Sequence, residues 1–368
     1  MKHAVITLKD RFSSLREFDN IYKSLRKHLD RMPMGLPPTL SGVERRLLKA
    51  MFNIEEARLA LYMDWRFETA DRIFEKAGKS LDMSRKEVDT LLFSMEQKGT
   101  LLAKNGDGVW KYALQPLVIH MYEMQLSKLT PNFYLDLQNY MAQIGGIEYL
   151  TTAIPQMRVI PVAQSITPEH NIGTYDEMRK IIEQTDMDIV IADCICRKAE
   201  GLMGRPCKVT TRVEACLIFD EFAAQYIRHD WGRPISKEEA IAHLLLSEKE
   251  GLVLQPSNEK KPEFVCFCCG CCCGIIQMLS FMPRPADFVA SNFFAALDTS
   301  SCNGCGKCTR RCQMNAIEIK DKKAVLNTGK CRFCGAPPPA PGSGSWLRQS
   351  GSATAAPGRC AVRAVGGC

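Results

Sequence analysis

Cys302, Cys305, Cys308 and Cys312 form a C-x2-C-x2-C-x3-C run, and four cysteines so spaced leave the backbone around them few choices. Gly304 and Gly306 stand between the first three, so one tight loop can turn back on itself and bring three thiols toward a common centre. A cubane [4Fe–4S] cage needs four thiolates, and in runs of this spacing the fourth cysteine normally reaches a second cage. A second C-x2-C opens downstream at Cys331 and Cys334. Between the two runs, 316–320 and 323–327 flank Asp321-Lys322 and predict a short β-hairpin. Zinc is the alternative metal, because C-x2-C pairs also serve it, but three evenly spaced cysteines followed by an x3 step suit iron–sulfur better.

Residues 298–335, with the motif SCNGCGKCTRRCQMNAIEI, resemble the bacterial two-[4Fe–4S] ferredoxin. The resemblance implies cluster ligation by Cys302, Cys305, Cys308 and Cys312, and by Cys331 and Cys334 in the second half. Two departures stand out. Gln313 occupies the position that is proline in the family, which should weaken the local turn without touching ligation. Pro337 and Pro341 stand where the second half would continue with cysteines. From Ala336 to Cys368 the chain has neither an acidic residue nor a lysine, and no apolar period. That composition predicts a disordered tail over 336–368. Its alanine- and proline-rich start suggests a shifted reading frame, since GCN and CCN codons read one base earlier can yield C-x3-C-P. Completion of the site by Cys360 and Cys368 is the competing reading, and it requires a long flexible loop to close.

Eighteen cysteines in a chain that does not begin like a signal peptide point to metal chemistry rather than disulfides. With no stretch of membrane-spanning length, the expectation is a cytoplasmic protein. The formal charge of +7 is uneven. Residues 1–46 hold ten Lys/Arg against five Asp/Glu, the tail adds three cations, and the rest is close to neutral, so the charge is no sign of nucleic-acid binding. Residues 1–35 read as a basic amphipathic helix, with Phe12, Leu15, Phe18, Tyr22, Leu25 and Leu29 at helical spacing.

Residues 36–145 predict a winged-helix-like module. Helices are expected from Ser41 with a capping box to Glu44, near 54–63 and 67–77, and from the Ser84–Glu87 capping box to about Lys98. Asn105-Gly-Asp-Gly108 between apolar runs then signals a hairpin over 101–114. Such a module can read DNA through the helix at 84–98. Here Arg85, Lys86 and Lys98 are offset by Glu87, Asp89 and Glu96, so DNA is not the expected partner and a packing or protein-docking role is preferred.

Residues 146–290 alternate strand-like runs (158–162, 188–192, 252–254, 263–265) with helical ones (175–184, 214–227, 236–250), predicting a middle α/β domain. Two groups of its ten cysteines, Cys194 with Cys196 and the run from Cys266 to Cys273, fall just after predicted strands, where ligands of open α/β sheets bind. Cys194, Cys196, Cys207 and Cys216 suffice for one cage, and Cys266, Cys268, Cys269, Cys271, Cys272 and Cys273 offer six more thiols. One or two further iron–sulfur clusters are expected, with zinc or a redox-active thiol site as alternatives. Arg197 is a candidate hydrogen-bond donor to a cluster sulfide.

The stretch from Met34 to Asn315 also resembles a cysteine-rich iron–sulfur protein family of anaerobes that joins a winged-helix-like segment, a C-x-C-R…CCGCCCG core and a ferredoxin end. That likeness implies iron–sulfur binding without a settled substrate. No G-x-G-x-x-G, Walker A or H-E-x-x-H is present, and the six histidines lack metal-site spacing. The fold class is therefore α+β and multidomain, with a ferredoxin module at 295–335. The function expected is electron transfer with a redox partner protein; a redox-responsive regulator and a ferredoxin-fed reductase are the alternatives. No catalytic residue is assigned.

Overall fold

A computed structural model describes residues 20–153, 155–160, 178–186, 188–259, 261–289, 291, 293–295, 297, 299, 302–331 and 347–349. The chain mixes helices with small antiparallel sheets, an α+β arrangement, and its contacts divide it into two compact units: Met1–Gln156 with Met187–Ile235, and Met157–Asp186 with Ser236–Cys368.

The first unit begins with a helix over residues 20–29 (α1), followed by α2 (Val43–Met51) and α3 (Ile54–Ala60). β1 (Glu68–Thr69), α4 (Ala70–Leu81), α5 (Arg85–Gln97), β2 (Leu101–Gly106) and β3 (Val109–Leu114) come next. The predicted Ser84 capping box forms, with Ser84 and Glu87 each bonding the other's backbone amide. The Ser41–Glu44 box does not. Gly42, in the left-handed region at φ 65°, precedes α2, and the Glu44 carboxylate instead accepts bonds from the amide and hydroxyl of Thr39. Asn53 and Glu56 make a capping box at α3 that the sequence reading does not include. The hairpin β2–β3 turns at Asp107 and Gly108, both at positive φ, with Gly106 paired to Val109.

After short π and 3-10 turns over 117–125 come α6 (Pro131–Tyr140) and α7 (Gly146–Thr151). The chain then enters the second unit, where α8 (Met178–Gln184) lies. It returns to the first unit as β4 (Ile189–Asp193), α9 (Ile195–Leu202), β5 (Glu214–Phe219), α10 (Asp220–Arg228) and β6 (Gly232–Ile235). β4 pairs antiparallel with both β5 and β6.

Residues 214–219 correct the sequence reading, which makes them helical. Their apolar run is short enough to suit either form, and pairing with β4 decides for strand. α10 covers the free edge of β2: Gln225 Nε2 donates to the Leu101 carbonyl at 3.0 Å, and its Oε1 accepts from the Ala103 amide at 3.2 Å. Two backbone groups of that edge are thereby satisfied by a fully buried side chain. Arg228 adds a 2.6 Å contact to the buried Glu96.

The second unit continues with α11 (Lys237–Glu250), β7 (Val253–Pro256), β8 (Phe264–Cys268) and α12 (Gly274–Ser280). β7 and β8 pair antiparallel. The strand expected at 158–162 is reduced, among the described residues, to isolated bridges from Met157 to Ser257 and from Ile160 to Leu254. β9 (Phe293–Ala295), α13 (Lys307–Arg311), β10 (Ile317–Lys320), β11 (Lys323–Leu326) and β12 (Leu347–Gln349) complete the chain. β10 and β11 form the hairpin expected between the cysteine runs. Of the tail 336–368, only β12 is described, paired antiparallel with β9. Cys334, Cys360 and Cys368 lie outside the described residues. Among the described residues no helix is long and apolar enough to cross a membrane.

Candidate metal centres

The loop of Cys302 to Cys308 is shaped by two glycines. Gly304 and Gly306 sit at φ +73° and +71°, a region open to glycine without strain. A Cβ on Gly304 would lie 2.5 Å from the Lys322 carbonyl oxygen, so the hairpin turn packs directly on the loop backbone. α13 follows, carries Cys308 in its first turn and ends at Cys312.

Cys302, Cys308 and Cys312 all pack against the buried pair Ile317 and Ala324 of the hairpin, and Cys305 is exposed. The Cys302 sulfur accepts from the Ala324 amide at 3.3 Å, and the Cys312 sulfur accepts from the Ala316 amide at 3.3 Å. Backbone N–H groups aimed at sulfur favour the thiolate and are one lever by which a protein sets a cluster's potential. The Gly304 and Ala324 amides hold the Cys302 thiol below its ordinary pKa, whereas burial pushes the Cys308 thiol up. The donor set therefore fits a [4Fe–4S] cage: four thiols between residues 302 and 312, three of them with backbone amides directed at sulfur.

Gln313 makes bonds that its reading as a displaced proline does not foresee. Its Nε2 donates to the Gly251 carbonyl at 3.1 Å, and its Oε1 accepts from the Gly270 amide at 2.9 Å. The neighbouring Arg311 donates to the carbonyls of Glu248 and Lys249, both at 2.8 Å. A cation thus meets the carbonyl end of α11, where the helix dipole favours it. The cluster loop is consequently pinned to α11 and to the cysteine-rich segment at 266–273.

In that segment Cys266 and Cys268 lie on β8, Cys273 precedes α12, and Cys269, Cys271 and Cys272 occupy the intervening turn. The structure brings these last three together, their sulfurs all within 4.8 Å of one another. Cys271 is 3.6 Å from Cys269 and 3.7 Å from Cys272. Gln255 Nε2 points at the Cys273 sulfur from 3.7 Å.

The other four predicted cysteines belong to the first unit. Cys194 precedes α9, its amide bonded to the Val213 carbonyl, and Cys196 lies in the first turn of that helix. Cys207 lies between α9 and β5, and Cys216 is on β5 opposite Ala192. Two tyrosines accompany them. Burial raises the pKa of both Tyr122 and Tyr134, and the nearby Cys196 raises each further. The Tyr122 hydroxyl is buried and has no hydrogen-bond partner among the described residues; Tyr134 donates to Glu200 at 2.7 Å. Neither tyrosine carries a motif, so sequence spacing offers no way to find them.

Residues 295–318 match the family model of a 4Fe-4S binding domain, and so contain an iron–sulfur, ferredoxin-type domain. The match includes Cys302, Cys305, Cys308 and Cys312 and stops short of Cys331. No curated protein and no solved structure matches the chain.

Proposed function

We propose that this protein transfers electrons through a [4Fe–4S] cluster held by Cys302, Cys305, Cys308 and Cys312, together with a second metal centre in the cysteine-rich segment. The observation that carries the reading is the coincidence of the 4Fe-4S family match with a segment three of whose thiols pack on one hairpin and receive backbone N–H groups. A bound cluster supplies one-electron chemistry. The chain's own residues direct backbone amides at the sulfurs, shield three of them on Ile317 and Ala324, and leave the Cys305 corner open to a redox partner protein.

A two-cluster arrangement of the bacterial type would add Cys331 and Cys334, with Cys312 crossing to the second cage. Cys331 is half-buried. The second centre proposed for the middle segment draws on Cys269, Cys271 and Cys272, with a fourth ligand from the remaining predicted cysteines. An iron–sulfur cluster is the first reading there. A single tetrahedral ion is the second, because a metal–sulfur bond of about 2.3 Å sets sulfur–sulfur edges near ~3.8 Å. The observed spacings of 3.6 and 3.7 Å fall beside that value.

The winged-helix-like reading of 36–145 is retained as a packing module rather than a DNA reader. Arg85 is paired with Asp71 and Asp89, and Lys98 is bonded to Glu56 at 2.6 Å, so neither cation stands ready for phosphate. We place the protein in the cytoplasm.

Iron, acid-labile sulfide and zinc counted per chain in anaerobically purified protein test the proposal. Matched iron and sulfide exceeding one cubane support two iron–sulfur centres. One cubane with one zinc selects the single-ion reading of the middle site. Absence of sulfide refutes the electron-transfer function altogether.

A further inference from the structure

Among the four ferredoxin-type cysteines, Cys305 alone is exposed, and the residues around it are cationic. Lys307 is exposed two positions on, at the start of α13. The guanidinium of the exposed Arg310 curls back on the loop, with Nη1 3.7 Å from where a Cβ on Gly306 would lie. From the other side the hairpin turn presents Lys322, whose carbonyl abuts Gly304. Lys323 clamps the loop, its ammonium donating to the carbonyls of Cys302 at 2.7 Å and Thr299 at 2.9 Å. Four cations thus lie on or against the loop that carries the open corner. The acidic residues nearby are few: Glu318 is paired with Lys320 at 2.6 Å, which leaves Asp321 on the turn.

We propose that this basic face is a docking face for an acidic redox protein, which would meet the cluster at its Cys305 corner. The inference rests on the electron-transfer reading and names the kind of partner. Charge complementarity steers encounter and fixes orientation more than it adds affinity, which suits a partner that must bind, exchange an electron and leave. The face is poorly built for nucleic acid. Residues 302–331 contain no Tyr or Trp and no Phe, so they provide no platform on which a base could stack. Concentrating cations at the one exposed ligand also has no purpose for a phosphate backbone, whereas it places a partner's cofactor closest to the cage.

The test uses the full-length protein purified anaerobically, with an acidic FMN-containing flavodoxin as probe and a single-stranded oligonucleotide for comparison. Binding is measured over a range of ionic strength for the wild type, for K307Q/R310Q/K322Q, and for the charge-conserving K307R/R310K/K322R. Lys323 is left alone because it holds the loop. The expected result is flavodoxin binding that weakens as salt rises, falls about tenfold or more in the glutamine variant at low salt, and survives in the charge-conserving one. Absence of flavodoxin binding, binding indifferent to salt, or equal binding by the glutamine variant overturns the proposal. Tighter binding of the oligonucleotide, lost in the same variant, overturns it too and reassigns the face. Iron and sulfide counts on the same samples report separately on the cluster, so a missing cluster and a missing docking face give different results.

Discussion

Gln313 Oε1 accepts a hydrogen bond from the Gly270 amide at 2.9 Å, and through it the ferredoxin-type loop is tied to the turn that gathers Cys269, Cys271 and Cys272. Gln313 follows Cys312 directly, and Gly270 stands between two cysteines of the triad. Q313M keeps the side-chain length and removes this bond and the one to Gly251. The expected loss is roughly 1–3 kcal/mol of local stability, at about 0.5–1.5 kcal/mol for each bond. Hydrogen exchange at the Gly270 amide should quicken accordingly; an unchanged rate would show that the tie is not made in solution.

The two candidate centres should respond separately to their own thiols. C302A is expected to abolish the sulfide belonging to the ferredoxin-type cage, since it removes a ligand that receives an amide and packs on the hairpin. C271A should leave that sulfide in place and remove the metal of the middle centre. Metal analysis of both variants decides. Loss of all metal from either one would mean that the sites do not load independently.

Gly304 is a position where any side chain is costly. Alanine there would adopt φ +73° and drive its Cβ to 2.5 Å from the Lys322 carbonyl oxygen, a backbone atom held in the hairpin. G304A should destabilise the loop by more than about 1 kcal/mol and reduce iron incorporation. G201A is the control. Gly201 lies in α9, and a Cβ there would meet nothing within 4 Å, so alanine should be neutral or gain up to about 1 kcal/mol. Equal iron loading by G304A and wild type would contradict the contact.

Acid should unfold the first unit through two carboxylates. Burial pushes the Glu96 carboxyl up, but the adjoining His229 ring and the hydrogen-bonded Arg228 guanidinium outweigh it and hold the group below its ordinary value of 4.5. Glu200 is lowered in the same way, with Arg205 and Tyr134 overcoming burial. A carboxylate whose pKa is depressed by folding contributes stability above its unfolded value and loses it as pH falls through the folded one. Stability from this source is thus complete above about pH 4.5 and disappears below it. E96Q should lose roughly 1–3 kcal/mol at neutral pH and show a shallower fall in acid. Denaturant unfolding of both proteins across this range is the measurement, and parallel curves would refute the assignment.

DNA should bind weakly if at all. Two of the three cations of α5 and its C-terminus are already engaged, Arg85 by Asp71 and Asp89, Lys98 by Glu56. A gel shift with sheared duplex at low salt is expected to show no discrete complex. Tight, salt-sensitive binding would return the module to the DNA readers.

What can be read from the sequence is local. The capping box at Ser84, the turn at Asn105–Gly108 and the hairpin beyond Cys312 each depend on residues within a few positions of one another, and each forms where expected. The strand Glu214–Phe219 reads as helix because its pairing partner, Ile189–Asp193, lies some two dozen residues earlier, and no local period announces it. The cap at Ser41 looks right by spacing and loses to Thr39, which reaches Glu44 first. Ten middle cysteines are visible, but that Cys269, Cys271 and Cys272 come together depends on how the turn after β8 folds. In the sequence Gln313 is no more than a missing proline; its partners Gly251 and Gly270 lie 62 and 43 residues away.

Gln225 and Arg228 carry a practical consequence for anyone dividing this chain. Both satisfy backbone groups of the hairpin strand at Leu101 and Ala103, more than a hundred residues upstream. A fragment ending near residue 156 would expose that strand's edge and strip Glu96 of its guanidinium partner. Such a fragment should aggregate through the bare edge, and its behaviour would say little about the intact molecule. The shortest piece worth expressing alone is therefore discontinuous in sequence, with 187–235 spliced back onto the helices and hairpin it completes.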